Sequence, residues 1–261
     1  MSSPATYYKE YRNRLGFSTQ NAAREFLAAK DVEPQIDFQY IEALNVRIAD
    51  VIRKLNTVVT PVAQVKDLDG FLERQLSMPF RKMRDNNIIS RMNNQGRRPE
   101  EVLFSWLRGY VAAEYFCPAI SRIFDVEITS ILHVGEDDLN NIELFRRGPR
   151  ADLEINRGGQ RIRLEVQSGF QGTNDIKHHK VQEAHRAFEQ EGIHTVAAHF
   201  DLYNGQAAFV QLEKVPLEHN PDFVTRAQME GQLVLQINPN YFKWRFLDPL
   251  PAFADLEFSI S

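Results

Sequence analysis

Two carboxylates, Asp152 and Glu165, flank a Gly158-Gly159 pair in the segment Ala151 to Gln167. Both flanks alternate polar and apolar residues, as half-buried strands do. The glycine pair suits a two-residue hairpin turn, whose central positions need positive φ. That turn sets Arg157 opposite Gln160 and Asn156 opposite Arg161, so paired residue numbers sum to 317. Leu153 and Leu164, with Ile155 and Ile162, then form one apolar face, and Glu154 meets Arg163 on the polar face. Asp152 falls opposite Glu165. Directly opposed side chains have Cβ atoms ~4.5–5.5 Å apart, and like charges there are destabilising. A divalent cation reverses the sign. Mg²⁺ accepts one or two carboxylates plus water and phosphate oxygens, the chemistry of phosphodiester hydrolysis. The alternatives are a tolerated repulsion on a solvated face and a slipped register.

Two further elements should position groups near this pair. A helix is predicted from Glu100 to Phe116, opened by Pro99 and disturbed beyond its end by Pro118. Its stripe of Leu103, Leu107, Tyr110 and Val111 continues onto Glu114. A carboxylate on a core face needs a metal, a cation or a shared proton, unless the helix end is partly exposed. A second helix, about Asn174 to Gln190, carries Val181, Ala184 and Phe188 inward. Lys177 is placed one turn earlier on that face, either at the site or snorkelling to solvent. His178, His179 and His185 read as solvated helix residues. The sequence contains no HExxH, no P-loop and no G-x-G-x-x-G, so a nucleotide cofactor has no support.

The rest of the chain divides by composition. Residues 1–98 read as a helical N-terminal region for DNA binding or dimerisation. It has helices at Gln20 to Lys30 (capped by Ser18 or Thr19), Phe38 to Leu55 (Ile41, Leu44, Ile48, Ile52 and Leu55 on one face) and near Asp67 to Leu76. Within it, residues 81–98 carry Arg81, Lys82, Arg84, Arg91, Arg97 and Arg98 among asparagines, with Asp85 as the one acid. This is either a solvated loop or a DNA-contacting arm. Residues 99–215 are expected to be the catalytic core. Strands are predicted near Phe124–His133, Ile142–Phe145, Asp152–Ile155, Ile162–Val166, Thr195–Leu202 and Ala207–Leu212. Residues 216–261 form an extension, with a strand at Leu233–Ile237 and Trp244, Phe246 and Phe253 packed on the core. Strands with helices between them give an α/β (α+β) class, a mixed central sheet flanked by helices.

Bulk composition narrows the classes. The 261 residues, 43% hydrophobic and 25% charged, match a soluble globular protein, and no apolar run approaches a membrane span. No charged-then-apolar leader opens the chain. A net charge of −4 argues against a generic nucleic-acid coat protein but allows a local basic cleft. The single cysteine, Cys117, excludes an internal disulfide and a cysteine-based zinc site, and a cytoplasmic location is expected.

With these residues in place, the segment resembles the PD-(D/E)xK nucleases, in particular the type II restriction endonucleases. That family has an Asp at one strand's start and Glu or Asp, any residue, then Lys on the adjacent antiparallel strand. An acid often comes from a preceding helix, and a helix follows the second strand. Asp152, Glu165 and Glu114 match three of those places, and Arg150-Ala151-Asp152 stands where Pro-Asp is usual. The resemblance covers about residues 100–212. It implies a restriction-endonuclease-like core, Mg²⁺ held by Asp152, Glu165 and Glu114, and a homodimer that cuts double-stranded DNA at a short palindromic site. Gln167 departs from the family's Lys, as in Glu-x-Gln variants. A neutral amide orients water but supplies no charge, which leaves Lys177 or a nearby Arg to do so. Arg146, Arg147 and Arg150 precede Asp152, as phosphate clamps or as a charged loop. The rival readings are a repair or recombination nuclease of the same fold, and a non-catalytic DNA-binding protein whose motif has decayed at Gln167.

Overall fold

The computed structural model describes residues 4–92, 97–134, 153–227 and 231–260. The N-terminal third is helical: α1 (Pro4–Arg14), α2 (Gln20–Leu27), α3 (Phe38–Val58), α4 (Leu68–Leu72), α5 (Met78–Asp85) and α6 (Ile88–Arg91). Thr19 caps α2, its side chain accepting from the Ala22 amide at 3.1 Å. Asp37 does the same for α3, accepting from Tyr40 at 2.9 Å. The α3 stripe is buried at Ile41, Ile48, Ile52 and Leu55, while Leu44 is half-buried. A π-turn over Glu73–Ser77 joins α4 to α5.

Most of residues 81–92 is helical, in α5 and α6, rather than a loop. Met83, Ile88, Ile89 and Met92 fall at helical spacing and are buried, which draws the segment into the body and leaves its cations on the outer face.

α7 (Pro99–Ile123) runs on through Pro118. The expected disturbance there does not end the helix. Proline withholds an N–H from the Glu114 carbonyl, a loss of ~3 kcal/mol or more. Burial of Ala119, Ile120, Ile123 and Phe124 offsets it, since each large apolar side chain is worth roughly 1.5–3 kcal/mol. The strand expected from Phe124 is correspondingly short. Phe124 belongs to the core, Asp125 turns the chain at φ 53°, and only Leu132–His133 (β1) pairs.

The chain is an α+β protein. β1, β2 (Leu153–Arg157), β3 (Gln160–Gly169), β5 (His194–Asp201), β6 (Gln206–Gln211) and β9 (Phe242–Arg245) form a six-stranded mixed sheet in the order β1-β2-β3-β5-β6-β9. β3 and β5 are parallel, and the other neighbours are antiparallel. Between β3 and β5 the chain passes through β4 (Asp175–Lys177) and α8 (His178–Glu191). β4 pairs with β8 (Gln232–Gln236), which pairs with β7 (Phe223–Arg226), in a small second sheet.

α7 covers one face of the large sheet. Leu153, Ile155, Ile162, Leu164, Val196 and Phe200 enter the main apolar cluster there, and Phe116 stacks on Phe200 with ring centroids 3.9 Å apart. α8 covers the other face, packing Val181 and Ala184 with Ala197, Ala208 and Val210. The main cluster runs from Ile41 to Ile260, so helices α3 to α7, the sheet and the tail share one core. Trp244 and Phe246 are buried in it as predicted, with Phe253 packed alongside. Among the described residues, no helix is long and apolar enough to cross a membrane.

Candidate functional site

The β2–β3 hairpin forms around the two glycines as their flanks predict. Gly158 and Gly159 take φ of 58° and 85°, conformations an L side chain resists, and the Asn156 side chain accepts from the Gly159 amide at 3.1 Å. Five pairs, from Leu153 with Leu164 to Arg157 with Gln160, keep the register sum of 317. Arg161 forks onto the two Glu154 oxygens at 3.0 and 3.1 Å, and Arg163 approaches at 3.5 Å. Both arginines on this face therefore have acidic partners. Asp152 lies outside the described residues, as do Arg146, Arg147, Arg150 and the strand expected at Ile142–Phe145.

Period-two alternation puts Leu164 in the α7-side core and Glu165 on the α8 side. Glu165 is 8% exposed and receives the Lys180 ammonium at 2.8 Å, and the Gln167 side chain also donates to it. Burial pushes the Glu165 carboxyl above its ordinary pKa range. Lys180 and Gln167 oppose that shift without cancelling it. Glu165 and Lys180 open into a cleft of about 510 Å³ between the hairpin and α8, whose wall also holds Glu154, Arg163, Glu183 and Thr195.

The cation at Glu165 is Lys180 rather than Lys177. α8 begins at His178, so Lys177 ends β4, stands before the first helical residue and is exposed. Reading the helix from Asn174 misplaced its stripe. The buried residues are Val181, Ala184 and Ala187, whereas Phe188 is 37% exposed. Lys180 precedes Ala184 and Ala187 by four and seven residues, and those two small residues were the signal that this side of the helix faces inward.

Glu114 meets an imidazole. Its Oε1 is 3.4 Å from Nε2 of His133 on β1, opposite Leu153. Burial raises the Glu114 pKa and His133 opposes the rise. Glu114 and Glu165 thus have separate partners, His133 and Lys180.

The basic segment is partly neutralised from within. Arg81 pairs with Glu73, Arg84 with Asp85 at 3.0 Å, and Arg98 with the buried Glu100 at 2.9 Å. Arg97 donates to Ser105 at 3.0 Å, while Lys82 and Arg91 lie on the exposed surface.

The ends of β3 and β5 hold a polar cluster that sequence reasoning missed. His199, beside Gln167 in register, is 3% exposed, and its Nε2 donates to Asn174 Oδ1 at 2.8 Å. Asn174 in turn donates to Asp201 at 3.0 Å. Gly169 packs closely here, and a Cβ there would lie 3.0 Å from His199 Nε2. Burial lowers the His199 pKa from 6.5 to about 4, against the attraction of Asp201 and Asp175. Below pH 6.5 the unfolded chain therefore takes a proton that the native chain refuses until about pH 4. Stability falls across that window by about 3 kcal/mol on this account. Urea unfolding at pH 7 and pH 4 should show His199→Gln losing about that much less stability than wild type over the same interval. Equal losses would mean that His199 does not titrate in this way.

Among the described residues, no group of three or more His, Cys, Asp or Glu side chains is arranged to hold a metal. Glu165 alone offers a buried carboxylate open to the cleft, which fits Mg²⁺ only as one of the one or two protein carboxylates that ion accepts. No known protein family matches the chain, and no curated protein or solved structure matches it either.

Proposed function

We propose that the chain is a Mg²⁺-dependent endonuclease of double-stranded DNA, of the type II restriction kind and acting as a homodimer. The observation that carries this reading is Glu165 with Lys180 on the wall of a cleft, Gln167 donating to the carboxylate, beside a hairpin with the predicted register. The element order supports it as well. An acid-bearing helix, α7, precedes the antiparallel hairpin, and α8 follows the hairpin's second strand and supplies the positive charge that Gln167 lacks.

Asp152 and Glu165 would hold the ion, which when bound supplies Lewis-acid polarisation and a more acidic water. Gln167, already donating to Glu165, has its amide placed to orient a water beside that carboxylate. Lys180 brings a largely buried ammonium to the cleft wall, where a fixed charge acts more strongly on a phosphoryl group than it would in water. Glu114, with His133 as its partner, is a proton-holding group near the start of β2. The exposed cations of α5 and α6 suit non-specific phosphate contact.

Incubation of the full chain with plasmid DNA tests the reading. Discrete fragments with Mg²⁺, and intact DNA in its absence, are expected. Cutting confined to branched or damaged DNA would point to a repair nuclease, and binding without cleavage to a non-catalytic protein.

A further inference from the structure

α7 carries a cation that no sequence argument singled out. The Arg108 guanidinium carbon lies 3.8 Å from the ring centroid of Phe170, just beyond β3, and 5.0 Å from that of Phe104. Its Nε is buried without a hydrogen-bond partner, and among the described residues no carboxylate pairs with it. The charge that bears on it is another cation, Arg97, which Ser105 tethers to the same helix. Burial and then Arg97 both disfavour the charged form.

Two aromatic faces recover part of the desolvation cost and fix the plane of the guanidinium. What remains is a preorganised fork of donors with no anion. Such a fork matches phosphate geometry better than a lysine's point charge does. We propose that Arg108, supported by Arg97, is a phosphate-binding subsite for the DNA backbone flanking the cleavage site, a proposal that rests on the nuclease reading above. Arg108 sits on the α7 side, against Phe170 just past the end of β3, whereas Glu165 faces α8, so the subsite would meet the duplex beyond the sheet end and not inside the cleft. Arg108 lies ~9 Å along α7 from Glu114. Phe170 follows Glu165 by five residues, ~16 Å of extended chain. A duplex strand carries a phosphate every ~3.4 Å of axis, so DNA held at Glu165 presents several over that span.

The test is equilibrium binding of a labelled DNA duplex to the full-length protein, without divalent metal, across a salt series. Arg108→Met should weaken binding about tenfold for any sequence and make the log–log salt slope shallower by about 0.9, with no fall in Tm because an unpaired buried charge is removed. Arg108→Lys should keep the slope while binding a few-fold less tightly. Wild-type affinity and slope in Arg108→Met would overturn the subsite and leave the nuclease reading standing, as would a lower Tm with an unchanged slope. If Arg108→Met does not fold, Arg108→Lys decides, and wild-type affinity in that variant overturns the proposal. A wild-type chain that binds no duplex at any salt would overturn both readings together.

Discussion

Glu165→Gln is expected to bring Mg²⁺-dependent cleavage to background while the protein stays folded and still binds DNA. The substitution keeps the shape of the side chain and removes the charge that a divalent ion would need. Metal-borne stabilisation is worth several kcal/mol, and about 4 kcal/mol already corresponds to roughly 10³ in rate. Stability should change far less. Burial raises the Glu165 pKa against the attraction of Lys180 at 2.8 Å, so a neutral amide removes a desolvation cost together with the ion pair. Lys180 loses the Glu165 charge but keeps 14% side-chain exposure. A shift of about 1 kcal/mol, or roughly 2–4 °C in Tm, is the expected scale. Asp152→Asn should act in the same way if the two carboxylates share the ion. Single-turnover cleavage, DNA affinity without metal and thermal unfolding measure the three quantities. Wild-type turnover in either variant would place the chemistry elsewhere.

What the sequence made legible follows from how local each determinant is. The hairpin rests on a glycine pair and strict alternation, both local, and its register appears as predicted. The α3 stripe and the Thr19 cap are equally local. The misplacements arise where a distant element decides. Lys177 is drawn into β4 by pairing with β8, some sixty residues later, and that pairing delays the start of α8 and rotates its inward face onto Lys180. Pro118 breaks helices in isolation but not beneath Phe116, Ile120 and Phe124, whose burial comes from the sheet and tail. The cationic run at 81–98 looks like a loop because its buried residues (Met83, Ile88, Ile89, Met92) are few among its charged and amide side chains. Glu114 was placed on a core face, yet nothing within α7 identifies His133 as its partner. Arg108 and His199 left no local trace, since an arginine between phenylalanines and a histidine in a strand become unusual only once their neighbours in space are known.

The second large effect concerns Lys180. Lys180→Met should lower the maximal single-turnover rate by roughly 10²–10³, the ~2.7–4 kcal/mol that one preorganised charge commonly contributes, with DNA affinity little changed. Lys177→Ala should cut at close to the wild-type rate, because Lys177 is exposed at the β4–α8 junction. Another role for Lys180 is purely electrostatic support. Its ammonium lowers the Glu165 pKa against burial, so its loss would raise that pKa further and weaken metal binding without touching chemistry. A Mg²⁺ titration separates the two. If Lys180 only prepares Glu165, a higher Mg²⁺ concentration takes over the neutralisation, and the variant reaches the wild-type maximal rate with a raised Mg²⁺ requirement. If Lys180 acts on the phosphate, the maximal rate stays depressed at saturating Mg²⁺ and no concentration of the ion restores it. Recovery of the wild-type rate would remove Lys180 from the chemical step and leave Gln167 to act with the metal and the arginines alone.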